Sequence, residues 1–170
     1  MHRIVFLDRA TLAPGVRLRR PAFEHRWSEF AHTDPADVVR RLDGATMVID
    51  NKVPLRREAL ERLPELQLVA VAATGTDCVD KDCCRERGIV VSNVRNYAVH
   101  TVPEHVFALI LALRRSLCAY RDEVRRGAWQ AARQFCFFSH PIEDLHGSNL
   151  GIIGEGVLGQ GVAHLGRAFG

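Results

Sequence analysis

Three short stretches of this 170-residue chain carry residue types and spacings that could do chemistry. The first is Gly154-Glu-Gly156-Val-Leu-Gly159, a Gly-x-Gly-x-x-Gly run. The apolar residues Leu150 to Ile153 before it read as a buried parallel strand, and Val157, Ala163, Leu165 and Phe169 after it supply the apolar positions of a helix. Between strand and helix, such glycines suit a dinucleotide. Gly154 makes the tight turn, Gly156 lets backbone N–H groups approach a pyrophosphate, and Gly159 lets the helix pack on its strand. The helix N-terminus would add about half a positive charge facing the phosphates. The second stretch is Asp50-Asn-Lys-Val-Pro54, and the third is Ala73-Thr-Gly-Thr-Asp77. A Thr-Gly-Thr turn presents backbone N–H groups and hydroxyls, chemistry that fits a carboxylate, and Lys52 can add positive charge. Ser92-Asn-Val-Arg-Asn-Tyr97 is a further suggestive stretch of this kind, and each of these three suits an ordinary βα turn equally well.

These stretches need a frame. Arg3 to Asp8 predicts a first strand and Phe23 to Phe30 a second, at a sheet edge. Asp34-Pro35 supplies an N-cap and first-turn proline for a helix through Leu42. Thr46 to Asp50 predicts a third strand and Leu55 to Leu63 a helix closed by Pro64. Leu66 to Ala73 is almost wholly apolar and predicts a central fourth strand. Asp80 caps a short helix ending at Gly88, before a fifth strand at Ile89 to Val91. This alternation predicts a doubly wound α/β sheet, flavodoxin-like, with five parallel strands in order 2-1-3-4-5 over residues 1–100. In such sheets ligands bind beyond the carboxyl ends of the strands, where all the stretches named from residues 50, 73 and 92 fall. Residues 101–170 then read as the first βα unit of a Rossmann cofactor domain. Val102 to Leu113 is a helix too apolar for a surface and expects a partner between domains or subunits. Tyr120 to Trp129 reads as a polar helix, and Gln130 to Gly147 as a linker.

Composition sets bounds. With 47% hydrophobic and 25% charged residues, the chain can build a sizeable core. A net charge of +3 is only mildly basic, and Arg17 to Arg20, Arg114-Arg115 and Arg125-Arg126 are scattered, so no nucleic-acid partner is expected. No signal peptide and no membrane-length apolar run is visible, which makes the cytoplasm the expected compartment and excludes a membrane partner. Cys78, Cys83, Cys84, Cys118 and Cys136 form no Cys-x-x-Cys pair, so separate reduced thiols and no metal are expected.

Asp50, Pro54 and Thr74 also invite comparison with a phosphoacceptor receiver. That chemistry needs two acids after the first strand and a lysine after the fifth; here Asp8 stands alone before Arg9, and Val94 and Arg95 occupy the lysine position. Glu104-His105 pairs a carboxylate with an imidazole, but adjacent helical residues diverge by about 100°, which favours a structural role over acid–base catalysis. His140, His146 and His164 show no evident partner.

Taken together the motifs resemble one family. Val69 to Asp80 resembles the substrate loop of the D-2-hydroxyacid dehydrogenases. Arg87 to Asn93 with Tyr97 and Thr101 to His105 resembles their crossover into the cofactor domain, and Leu145 to Gly159 their dinucleotide turn. Asn51 to Pro54, Ala72 to Thr76 and Trp129 with Gln134 to Cys136 look most like the glycerate dehydrogenase, or hydroxypyruvate reductase, branch. The resemblance implies hydride transfer between NAD or NADP and a small 2-keto or 2-hydroxy acid. It implies that Thr74, Gly75 and Thr76 hold the substrate carboxylate with Asn51 or Lys52 nearby. Thr101 would lie on the nicotinamide side, and Gly154, Gly156, Val157, Leu158 and Gly159 would take the pyrophosphate.

Pro103, Glu155 and Cys78 depart from the family pattern. The family's catalytic arginine, glutamate and histidine, and its ribose-binding acid, are expected beyond Gly170, so no catalytic residue is assigned here. The chain is therefore expected to be the N-terminal part of the enzyme, inactive by itself, and dimeric through helix 101–115. The rival reading is a non-catalytic module that pairs through that helix. Neither the particular 2-hydroxy acid nor the choice between NAD and NADP is legible.

Overall fold

The computed structural model describes residues 1–170, which divide into two compact units, Met1–Arg95 and Asn96–Gly170. In the first, five strands form one parallel sheet: β1 (His2–Phe6), β2 (His25–Glu29), β3 (Met47–Asp50), β4 (Leu68–Val71) and β5 (Val90–Asn93), in the order β2-β1-β3-β4-β5. This is the order expected from the strand–helix alternation. Short helices α1 (Val38–Leu42), α2 (Arg57–Leu60) and α3 (Lys81–Glu86) serve the crossovers. Two of them have a clear local cause. Pro35 opens a 3₁₀ turn that runs into α1. The Asp80 carboxylate accepts the Cys83 N–H at 2.9 Å and starts α3, and Gly88, at φ +68°, takes the chain out of it.

Register builds the core. Val5 pairs with Val48, Val48 with Val69 and Val69 with Val91, so one row of valines crosses the sheet on a single face. Val38, Leu42, Leu60, Cys83 and Cys84 of the three helices are buried in the same cluster. Full burial of each such aliphatic side chain contributes roughly 1.5–3 kcal/mol. Two residues toward the carboxyl edge, the row reads Asp50, Val71 and Asn93. The period of two therefore carries Asp50 onto the buried face.

The second unit holds α4 (Thr101–Arg114), α5 (Leu117–Arg125), α6 (Ala128–Ala131) and α7 (Val157–Ala168). The polar helix expected over Tyr120 to Trp129 starts earlier and breaks at Gly127, whose φ of +85° ends α5 and separates it from α6. Helix α7 lies on α4 because Gly161 lets Pro103 approach: a Cβ on Gly161 would sit 2.8 Å from the proline Cγ. Phe107 and Phe169 stack at 5.1 Å between centroids beside it. Pro103, an apparent departure in the sequence, is thus a buried packing residue.

One expectation fails. Leu150 to Ile153 forms no strand and no backbone hydrogen bond joins it to a neighbour. A parallel strand exists only as one side of a ladder, and every strand of the sheet lies between residues 2 and 93. Ile153 is fully exposed instead.

Candidate functional site

The carboxyl edge of the sheet gathers the loops after β1, β3, β4 and β5. The loops after β3 and β4 are stitched together. Leu55 and Val79 form an isolated parallel bridge, with Leu55 N–H donating to the Cys78 carbonyl at 2.8 Å and Asp80 N–H to the Leu55 carbonyl at 2.9 Å. Arg56 adds a bond from its guanidinium to the Asp77 carbonyl at 2.9 Å.

Within the β4 loop, the Thr74 hydroxyl donates to the Val94 carbonyl at 2.9 Å, and the Asn93 amide donates to the Thr74 carbonyl at 2.7 Å. These bonds tie the Thr-Gly-Thr turn to the end of β5. No protein group accepts the N–H groups of Thr74, Gly75 or Thr76. The turn therefore offers backbone donors at an exposed surface, the polarity an anion needs. The Thr74 hydroxyl proton, by contrast, is already engaged. Asn93 lies in the suggestive stretch after the fifth strand, but its spacing gives no sign of this bond.

The β3 loop is built differently, because its N–H groups are taken. The Asp8 carboxylate, buried at the end of β1, accepts Asn51 N–H at 3.0 Å and Lys52 N–H at 2.8 Å. Asp50 Oδ1 accepts Val53 N–H at 2.9 Å. Lys52 is exposed at the edge, whereas the Asn51 side-chain oxygen is buried without a partner. Burial first, and the nearby Asp8 charge second, push the Asp50 carboxyl up to about 6, against hydrogen bonds from Cys78, Val53 and Asn51. Burial, followed by the Asp50 charge, pushes the Cys78 thiol up to about 11, which keeps it an unreactive neutral group against the Asn51 carbonyl. Asp8 and Asp50 are the polar residues that sequence reasoning passed over. Their signal was two acids at the ends of two strands, and it counted only toward the receiver comparison.

In the second unit, two of the three glycines of the turn have a local cause. Gly154 holds φ +102°, a conformation that L side chains rarely adopt. A Cβ on Gly159 would collide with the Gly154 carbonyl oxygen. Gly156 is unlike both: its φ of −70° suits any residue, and nothing stands within 4 Å of where its Cβ would be. No packing within the chain requires that glycine. It is the N-cap of α7 and contributes no side-chain cap, and the first intrahelical bond is Gln160 N–H to the Gly156 carbonyl. The N–H groups of Val157, Leu158 and Gly159 are left facing outward. The Gln160 amide donates to the Glu155 carbonyl at 3.1 Å and turns that carbonyl back toward the helix. The residues present fit a pyrophosphate: free N–H groups, a helix N-terminus and a glycine whose missing side chain leaves room.

Thr101 opens α4 and is exposed. A groove lined by His100, Pro103, Glu104, Val157, Gln160 and His164 runs between the first turns of α4 and α7. Glu104 and His105 are both exposed and make no bond to each other. His140 does have a partner, which corrects the sequence reading: its Nε2 lies 3.3 Å from Glu123, and Ser139 bonds the other carboxylate oxygen. Serine touches the acid and not the imidazole, so this is a clasp holding residues 139–140 to α5, not an activated nucleophile. The five cysteines are free, no group of metal ligands is assembled, and no helix is long and apolar enough to cross a membrane.

Residues 17–149 match the family model of the D-isomer specific 2-hydroxyacid dehydrogenase catalytic domain. The chain is 50% identical over 169 residues to a glycerate dehydrogenase of Methylorubrum extorquens, covering 99% of this chain and 53% of that one. It is 35% identical over 138 residues to a hydroxypyruvate reductase of Blautia hydrogenotrophica, covering 81% of this chain and 43% of that one. Among solved structures it resembles an NADPH-dependent glyoxylate/hydroxypyruvate reductase of Sinorhizobium meliloti in complex with citrate. That likeness has a TM-score of 0.77 and 26% identity over 99% of this chain and 51% of that one. The chain spans about half the length of the curated relatives it matches.

Proposed function

This chain belongs to the D-isomer specific 2-hydroxyacid dehydrogenases, and on that premise we propose that it supplies the substrate-carboxylate loops and the start of the cofactor site of a glycerate dehydrogenase or hydroxypyruvate reductase. NAD or NADP, when bound, supplies the hydride acceptor or donor for a small 2-hydroxy or 2-keto acid. The observation that carries the reading is Gly156, a glycine that no intrachain contact demands, set before three unclaimed N–H groups of α7.

The chain's own residues bind and orient. The N–H groups of Thr74, Gly75 and Thr76 receive the substrate carboxylate, and Lys52 adds positive charge at the same sheet edge, with Asn51 beside it. Thr101 borders the nicotinamide side. Gly154, Gly156, Val157, Leu158 and Gly159 receive the pyrophosphate, and Glu155 puts a carboxylate in that turn, which lowers affinity for it. Substrate polarisation and proton transfer fall to groups other than the 170 residues, so this chain alone turns nothing over. Leu109 and Leu113 of α4, 53% and 79% exposed, form the face through which two copies pair.

A fusion tests this reading. Residues 1–170 joined to the remaining half of the Methylorubrum extorquens relative should oxidise NADH or NADPH in the presence of hydroxypyruvate, and the 170-residue chain should not. Gly156→Val in the fusion should abolish cofactor binding. A folded fusion that binds cofactor and reduces no 2-keto acid would overturn the substrate assignment.

A further inference from the structure

Behind the exposed loop that carries Asn51 and Lys52 lie two carboxylates the binding scheme does not use. Asp8 is 4% exposed and Asp50 is 0% exposed. They reach the same short loop from adjacent strands, β1 and β3. Asp8 takes the N–H groups of Asn51 and Lys52, and Asp50 Oδ1 takes that of Val53, so three consecutive peptides are fixed by two side chains. The second Asp50 oxygen is buried and receives no N–H or O–H donor, the weakly donating Cys78 thiol being the one polar side chain beside it. Two negative charges at such a place, with one oxygen unsatisfied, are costly, and holding one proton relieves the cost.

We propose that Asp8 and Asp50 form a one-proton latch: Asp8 positions the Asn51–Lys52 loop through its peptide N–H groups, and a proton held by Asp50 lets both carboxylates stay buried behind it. The proton comes from solvent and returns there as pH rises. The groups acting on Asp50 are Asp8 from the end of β1, Cys78 from the loop after β4, and the peptides of Asn51 and Val53 in its own loop. No cation is among them, and the Lys52 side chain lies out in solvent. An anion bound at Asn51 and Lys52 adds negative charge on the far side of the loop and draws one proton onto the latch. Binding of a carboxylate is thus linked to proton uptake. That consequence rests on the proposed substrate role of the loop; the latch itself does not.

The test uses the 170-residue chain without substrate, by amide NMR across roughly pH 4 to 8, the span in which a raised carboxyl titrates. The amides of Asn51, Lys52 and Val53 should shift together with one midpoint near 6. Asp50→Asn should flatten all three. Asp8→Asn should lower the midpoint and speed hydrogen exchange at Asn51 and Lys52 by roughly tenfold or more, while the Leu7 amide, bonded to Ile49, stays unchanged. Flat shifts in the unsubstituted chain, a midpoint in the ordinary carboxylate range, or an intact titration in Asp50→Asn overturns the latch. Should Asp8→Asn fail to fold, the unsubstituted titration and Asp50→Asn decide between them. Adding hydroxypyruvate to the same samples separates the two readings. Unmoved Gly75 and Thr76 amides count against the substrate site, and a flat pH profile counts against the latch.

Discussion

The two units solve the same problem with unequal success. Residues 1–95 wrap three helices and their loops around a parallel sheet, and their buried cluster runs from Val5 to Ile89. Residues 96–170 contain helices without a sheet, and of their side chains only Pro103, Phe107 and Val162 are buried. Leu113, Phe135, Phe138 and Ile153 are each more than three-quarters exposed. The apolar content is similar, but apolar residues become a core only where a second layer covers them. Burial is a property of paired surfaces, and the first unit has its pairs.

The largest test of this contrast is a matched truncation. Leu42→Ala, at a fully buried position, should cost about 2–5 kcal/mol in urea unfolding, while Leu113→Ala should stay within about 0.5 kcal/mol. Equal effects would show that the second unit is better packed than its exposure implies. Asp50 gives the next effect. Its folded carboxyl is raised above the unfolded value of 3.8 to about 6, so the folded state binds the proton more tightly. Stability contributed by Asp50 is therefore full below the unfolded value and is lost as pH rises toward 6. Asp50→Asn should remove that slope and raise stability at pH 8 by something on the order of 2–3 kcal/mol, read from urea melts at several pH values.

In the second unit, Gly161→Val forces a side chain against Pro103 and should cost about 1–3 kcal/mol, seen as faster exchange in α4 and α7 with the sheet unaffected. Smallest of all is Gly156→Ala. With nothing near the added methyl, unfolding should change by less than about 0.5 kcal/mol, yet pyrophosphate-containing ligands should bind the fusion at least about tenfold more weakly. A large loss of stability instead would mean that this glycine serves the fold.

The same contrast governs what the sequence made legible. Strand order was readable because the central strands of the first unit carry their own apolar runs and turn residues separate them, the Asp80 cap of α3 being the clearest. Leu150 to Ile153 has an equally good pattern and forms no strand, because pairing depends on a second segment that no local pattern records. At the glycine turn the tight bend was legible, since Gly154 holds φ +102°, but Gly159 is required by the Gly154 carbonyl and not by a strand. Asp8 and Asp50 were not, since their importance lies in whose N–H groups they hold across 43 and 3 residues of chain. The break at Gly127 was written in the sequence as a glycine between two helical runs and was overlooked there.

The bridge between Leu55 and Val79 also bears on how this surface can evolve. Two loops joined by a backbone bridge share one register, and an insertion in either must be absorbed by both. Lengthening residues 51–55 by one would pull Leu55 from the Cys78 carbonyl and displace the turn at residues 74–76 with it. On the proposed substrate role of this edge, its range is thus open to exchange of side chains at exposed Lys52 and Asp77 and closed to change of loop length. Relatives that accept bulkier acids through this edge should differ from this chain in residue type there while keeping the spacing from Asp50 to Asp80.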